Sequence, residues 1–225
     1  MPRPVEHVCI FDPVEHAYRD EHGRRYRSVT QILAEADCVD FSMVDPVVLR
    51  LAAERGTRVH ELTALWDKHR AQLSLDAFFI CFAVAESLQG YVRQYERFLI
   101  ETGFSALAEE TERPRLVELH GTIVGMTPDR VGYFPRSRRL SVIDLKTGMY
   151  QLSHPLQIAG YSLGFERVLK LAMLHDRLAL YLEPDFYRMQ TYPHATDYYA
   201  FLDAINGGGK YLEHWKDNRK RKLIA

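Results

Sequence analysis

The spacing of apolar residues in this 225-residue chain changes once, near Phe104, and that change limits the folds open to it. Up to that point they recur at helical spacing; beyond it they alternate or run unbroken, as strands do, with further helical stretches between. Helices first, then a mixed β–α arrangement, read as one α/β domain with a helical elaboration. The expected layout is a single domain over 1–225, with an N-terminal hairpin and helical region in 1–103, an α/β core in 104–192 and a C-terminal helical segment in 193–225.

Local signals place the elements. From His7 to Arg27, runs rich in Val, Ile and Tyr are broken at Asp12-Pro13 and at Glu21-His22-Gly23, which predicts a strand and a hairpin. Ser28-Val-Thr-Gln31 has the form of a capping box and starts a short helix. Asp45-Pro46 opens a longer one to about Arg70, with Val47, Leu51, Val59, Leu62 and Leu65 on its apolar face. A third helical stretch covers about Leu75 to Thr102, with Gly90 as a dividing point. Arg115–Val124, Asp129–Phe134 and Leu140–Leu145 read as consecutive strands, followed by a helix from His154 to about His175. Strands at Leu178–Glu183 and Tyr187–Tyr192 and a helix at Thr196–Ile205 complete the pattern.

Composition removes several classes of function. Lys and Arg number 29 against 30 Asp and Glu, so the chain is no uniformly basic coat for nucleic acid or an anionic membrane. Any anionic partner must be held by a local patch or a metal. Cys9, Cys38 and Cys81 are too few and too scattered for a disulfide framework or an iron–sulfur cluster. No apolar run approaches the length of a membrane span, and the start at Met1-Pro-Arg-Pro4 lacks the apolar core of a signal peptide. The expectation is a cytoplasmic protein with no membrane partner.

The segment Val142-Ile-Asp-Leu-Lys-Thr-Gly148 carries the most chemistry. Alternation puts Asp144 and Lys146 on one face of a strand and turns Leu145 into the core. One strand earlier, Gly125-Met-Thr-Pro-Asp129 sets a second carboxylate after a proline bend. Taken singly, Asp144 and Lys146 could be a strand-end ion pair, and Asp129 a turn former. Taken together, two carboxylates converging from adjacent strands make an oxygen site for a hard cation such as Mg²⁺, with the Leu145 carbonyl as a further ligand. Lys146 beside it could orient or deprotonate a water and stabilise negative charge on a phosphate.

Asp129 followed by Asp144-Leu145-Lys146 resembles the core of the PD-(D/E)xK phosphodiesterases. Gln157-Ile-Ala-Gly-Tyr161 is similar to the Q-x-x-x-Y signature of their RecB-like branch, and Gly56-Thr-Arg-Val-His60 to the G-t-x-v-H helix that precedes the core there. The N-terminal hairpin and Ser28-Val-Thr30 resemble those of phage-type members. The resemblance spans roughly residues 50–165 and departs at Met126, where the family places glycine; here Gly125 is displaced by one. It implies a restriction-endonuclease-like core, a mixed central sheet flanked by helices, and a Mg²⁺- or Mn²⁺-dependent deoxyribonuclease, in the main an exonuclease, of recombination, repair or phage DNA processing. It also implies metal ligation by His60, Asp129, Asp144 and the Leu145 carbonyl, and catalytic roles for Asp129, Asp144, Lys146, Gln157 and Tyr161. Glu112 and Glu118 are further candidate ligands, while Glu54 and Glu61 read as solvated helix charges.

The expected partner is DNA, single- or double-stranded. No Walker A motif is present, so a helicase or other recombination partner would be a separate polypeptide. Arg136, Arg138 and Arg139 on the hairpin, with Arg219–Lys222, are solubilising charges or else line the approach of a phosphate backbone. The alternative to a nuclease is a subunit that binds nucleic acid or supports assembly and keeps the fold without cleaving.

Overall fold

The computed structural model describes residues 6–39, 41, 43–135, 139–169 and 175–224. In chain order the elements are β1 (Glu6–His7), β2 (Ile10–Asp12), β3 (Ala17–Arg19), β4 (Arg25–Tyr26), α1 (Val29–Glu35), α2 (Pro46–His69), α3 (Leu75–Cys81) and α4 (Glu86–Thr102). They continue with β5 (Ser105–Ala106), β6 (Arg115–Leu119), β7 (Thr122–Met126), β8 (Arg130–Tyr133), β9 (Leu140–Lys146), α5 (Ser153–Leu169), β10 (His175–Leu182), β11 (Tyr187–Thr191), α6 (Thr196–Ile205) and α7 (Lys210–Ile224).

The central sheet has the order β11-β10-β9-β8-β5 and is mixed: β9 and β10 run parallel across the α5 crossover, and the other pairs are antiparallel. Helices cover both faces. Ile143 and Leu145 of β9, with Leu178, Leu180 and Leu182 of β10, pack against α2, α3 and α4. The alternate residues, Leu140 and Val142 among them, face the cluster that α1, α5, α6 and α7 build around Phe165, Phe201 and Trp215. Full burial of a side chain such as Leu145 stabilises by roughly 1.5–3 kcal/mol, and here it also fixes which way its neighbours point. Two smaller sheets, β1-β6-β7 and β2-β3-β4, flank this body. Among the described residues no helix is long and apolar enough to cross a membrane.

Both helix-start signals take the expected form. Ser28 and Gln31 cap each other reciprocally, and the Asp45 side chain accepts from the N–H groups of Val47 and Val48. Four expectations fail, the first being the helix expected to reach about His175, since that residue opens β10. Arg115–Val124 is not one strand but the hairpin β6–β7, turned at His120-Gly121 where both residues take positive φ. The third helical stretch breaks at Phe82–Ala85, whereas Gly90 sits inside α4, where a side chain would strike the Pro184 carbonyl. The apolar face of α2 is buried only in its C-terminal half: Val59 and Leu62 are in the core, and Val47 and Leu51 are exposed.

Candidate functional site

Four elements meet at the C-terminal end of β9. Leu145 is held in the core on one side of the strand, which turns Asp144 and Lys146 to the other, toward α5. Asp144 is 1% exposed, and Lys146 Nζ lies 2.6 Å from its Oδ2. Gln157 of α5 spans this pair: its Oε1 accepts from Lys146 Nζ at 2.9 Å, and its Nε2 donates to Asp144 Oδ1 at 3.1 Å. One turn on, the Tyr161 hydroxyl accepts from the same Nε2 at 3.0 Å.

Asp129 enters from the bend before β8. Its Oδ2 accepts from the Leu145 N–H at 2.5 Å, which ties the bend to the end of β9. From the other side, α2 delivers His60: Nδ1 is 3.2 Å from Asp129 Oδ1, and Nε2 is 3.1 Å from the Leu145 carbonyl oxygen. Helix and strand come this close because Gly56, one turn before His60, faces Thr147; a Cβ there would lie 3.3 Å from the threonine hydroxyl. Asp129, Asp144, Lys146, His60, the Leu145 carbonyl, Gln157 and Tyr161 thus form one connected cluster.

The electrostatics follow from crowding acids and bases out of water. Burial lifts the Asp144 carboxyl to about 6, against the opposing pull of Lys146. Burial would also raise Asp129, but the His60 ring, Lys146 and the Leu145 N–H outweigh it and hold this carboxyl low. For His60, burial disfavours the charged ring, yet Asp129 and Asp144 prevail and raise its pKa. Both ring nitrogens face oxygen acceptors, an arrangement that only the protonated imidazolium satisfies fully. Tyr161 is pushed well above the usual phenol range by burial and by Asp144, so it stays neutral.

The donor chemistry suits a hard or borderline cation: two carboxylates, a carbonyl and an imidazole. The 3.1 Å between His60 Nε2 and Leu145 O is close to the roughly 3.0 Å edge of an octahedron with bonds of about 2.1 Å. Asp144 Oδ2 is buried and, although in contact with the ammonium, accepts no well-directed hydrogen bond. Even so, among the described residues no three His, Cys, Asp or Glu side chains converge as a ligand group. Asp144 leans toward Lys146 and Gln157, and the imidazolium charge of His60 stands where a cation would help. To load an ion, His60 must lose a proton and Asp144 must turn from the lysine.

Other sequence candidates fall elsewhere. Glu54 and Glu61 are exposed on α2, near Arg50 and Arg58. Glu118 is exposed on β6, in a different sheet. Glu112, at a positive φ of 50°, differs from these in adjoining the site: its N–H lies 3.3 Å from the Asp129 carbonyl oxygen, its carboxylate is 3.3 Å from Arg130, and burial, with Asp129 nearby, raises its pKa. Arg136 and Arg138 lie outside the described residues. Arg139 lies just before the N-terminal end of β9, 3.4 Å from Asp176; the strand separates it from Lys146 by roughly 20 Å.

Two supports escaped the sequence reading. Arg130 is 0% exposed and clamps α2 to β8, donating to Asp67 (2.6 Å), Thr63 (3.1 Å), Tyr95 (3.0 Å) and the Asp129 carbonyl (2.7 Å). A charged residue opening an apolar strand, and an aspartate seven positions after His60 on the same helix face, were the available signals. Tyr18 of β3 packs its ring on Gly125 and shares a 2.6 Å hydrogen bond with Thr127, two residues before Asp129. No family model matches the chain, and no curated protein matches it in sequence.

Proposed function

We propose that the chain is a metal-dependent deoxyribonuclease of the RecB-like PD-(D/E)xK kind, working as an exonuclease on DNA in recombination, repair or phage DNA processing. The observation that carries this reading is that two hydrogen-bonded groups, His60 and Asp129 on the Leu145 backbone and Asp144, Lys146 and Gln157 beside them, meet at the end of β9 from α2, the bend before β8 and α5. Structural ion pairs alone do not require a histidine, two acids, a lysine and a glutamine to meet at one strand end.

Asp129, Asp144, His60 and the Leu145 carbonyl would hold Mg²⁺ or Mn²⁺, which supplies a polarised phosphate and an activated water. Lys146, anchored by Gln157 when Asp144 turns away, offers its ammonium to the negative charge that grows on the phosphate oxygens. Gln157 fixes the lysine's direction, and Tyr161 fixes the glutamine. The imidazole in the donor set favours Mn²⁺ more than an all-oxygen site would.

The test is degradation of linear and circular DNA, single- and double-stranded, by wild type and Asp144→Asn with Mg²⁺, Mn²⁺ or excess chelator. Hydrolysis that needs the metal and vanishes in Asp144→Asn is expected. Unchanged hydrolysis in chelator would remove the metal mechanism, and folded protein that binds every DNA without cutting it would favour the non-cleaving alternative.

A further inference from the structure

Arg139, the one basic residue of the 136–139 stretch that is described, lies at the far end of β9 from the site, so another surface must serve if the site acts on polymers. One is present on the α6–α7 side. A groove of about 630 Å³ is lined by His194, Tyr211, His214, Trp215, Asn218 and Arg219. At its edge Tyr199, 60% exposed, meets Tyr211, 41% exposed, edge to face with centroids 6.1 Å apart. Both rings keep much of their surface in solvent, a large outlay of aromatic area.

Cations and hydrogen-bonding groups accompany the rings. Arg219 stacks on Trp215 at 5.3 Å and is held by Asp197 at 2.8 Å, which fixes its guanidinium at the groove wall. His214 and Asn218 bond to each other at 2.9 Å on the exposed face of α7, and Lys210 is exposed at the start of that face. Stackable rings beside a held guanidinium and an exposed ammonium match a single nucleic-acid strand, with bases on the rings and phosphates on the cations. They do not match an apolar peptide.

The groove also connects to the site. Tyr150, four residues after Lys146, packs against Tyr181 and Tyr192, and its ring is 5.9 Å from His154 at the start of α5. Arg219 lies against the Tyr150 hydroxyl, opposing the rise that burial gives that phenol. Arg219, which lines the groove, therefore reaches a tyrosine in the segment leaving Lys146.

We infer that the α6–α7 groove binds a single strand of DNA that runs to or from the Lys146 end of the site, with Tyr199 and Tyr211 as its stacking platform. This rests on the nuclease reading for its substrate, and the test separates the two. Binding of fluorescein-labelled oligothymidylate is measured by anisotropy in chelator, for wild type, Tyr199→Ala/Tyr211→Ala and Tyr199→Phe/Tyr211→Phe, beside thermal melts. Loss of roughly tenfold or more in affinity in the alanine pair, recovery in the phenylalanine pair and equal melting temperatures are expected. Wild-type affinity in the alanine pair overturns the groove, whether or not the protein cleaves DNA. A protein that binds through the pair but leaves the strand intact with Mn²⁺ retains the groove and loses the nuclease reading.

Discussion

Gln157 holds Lys146 by its carbonyl oxygen at 2.9 Å while its amide nitrogen is already divided between Asp144 and Tyr161. The glutamine therefore has no spare donor, and the lysine's direction depends on an amide that is itself held at its other end.

That dependence predicts coupled losses. Gln157→Ala and Tyr161→Phe should each slow single-turnover DNA cleavage by one to two orders of magnitude, about 1.4–3 kcal/mol of transition-state stabilisation. The double variant should lose less than the sum, because removing Gln157 leaves the Tyr161 hydroxyl with nothing to hold. Wild-type rates in Tyr161→Phe, or strictly additive losses, would return the tyrosine to a packing role.

Arg130 gives a prediction on stability. It is buried among Asp67, Glu112, Tyr95 and Thr63, so Arg130→Met leaves Asp67 and Glu112 without their buried cation. Breaking such a pair from one side costs about 3–5 kcal/mol. Adding Asp67→Asn should recover part of that in urea titrations. A variant as stable as wild type would show that the clamp does not hold α2 to β8.

His154 should make stability depend on pH. Its Nδ1 accepts from the Gln151 N–H and lies 2.7 Å from the Tyr181 hydroxyl, and burial followed by the charge of Lys146 drives the ring down to about 2. The folded pKa is depressed, so the contribution is complete above the unfolded value of about 6.5 and is lost as pH falls below it. Between those limits the unfolded chain binds one more proton, a slope of about 1.4 kcal/mol per pH unit. His154→Asn keeps an acceptor where Nδ1 stands and cannot titrate. The wild-type curve should fall more steeply with acid than that of the variant; parallel curves from neutral pH to pH 4 would refute the assignment.

Gly125→Ala tests the seat of the N-terminal hairpin. A Cβ there would lie 2.3 Å from the Tyr18 ring, an overlap that should cost about 1–3 kcal/mol. Because Tyr18 also holds Thr127, the loss in cleavage should exceed that expected from the fall in melting temperature alone. An unchanged melt would mean that the hairpin yields at no cost.

Which parts of this structure could be read from the sequence follows from the range of the forces involved. Asp129, Asp144 and Lys146 stood out because charge at the end of an apolar strand conflicts with its neighbours, and strand alternation then gives their facing. The caps at Ser28 and Asp45 were equally local. The break after α3 was not, because Ala83 takes a positive φ of 48° where no glycine announces it. That turn is held by the burial of Phe79 and Val84, a tertiary cause invisible in the local pattern. His60 was found by resemblance and not by pattern, since its contact with Leu145 spans 85 residues. The turn at His120-Gly121 has a local signal too, a glycine at positive φ after a polar residue.

The parallel pairing of β9 with β10 also bears on the order of events during synthesis. With the N-terminal part made first, β9 can pair with β8 while its other edge stays open until residues up to Leu182 have been added. A strand in that state is a poor foundation for placing Asp144 and Lys146, and its unpaired groups invite wrong partners. Pairing across a crossover is also slow to form, because the loop must close before any contact rewards it. A nascent chain should therefore carry every side chain of the cluster for an interval before the strand end that aligns them is held in place.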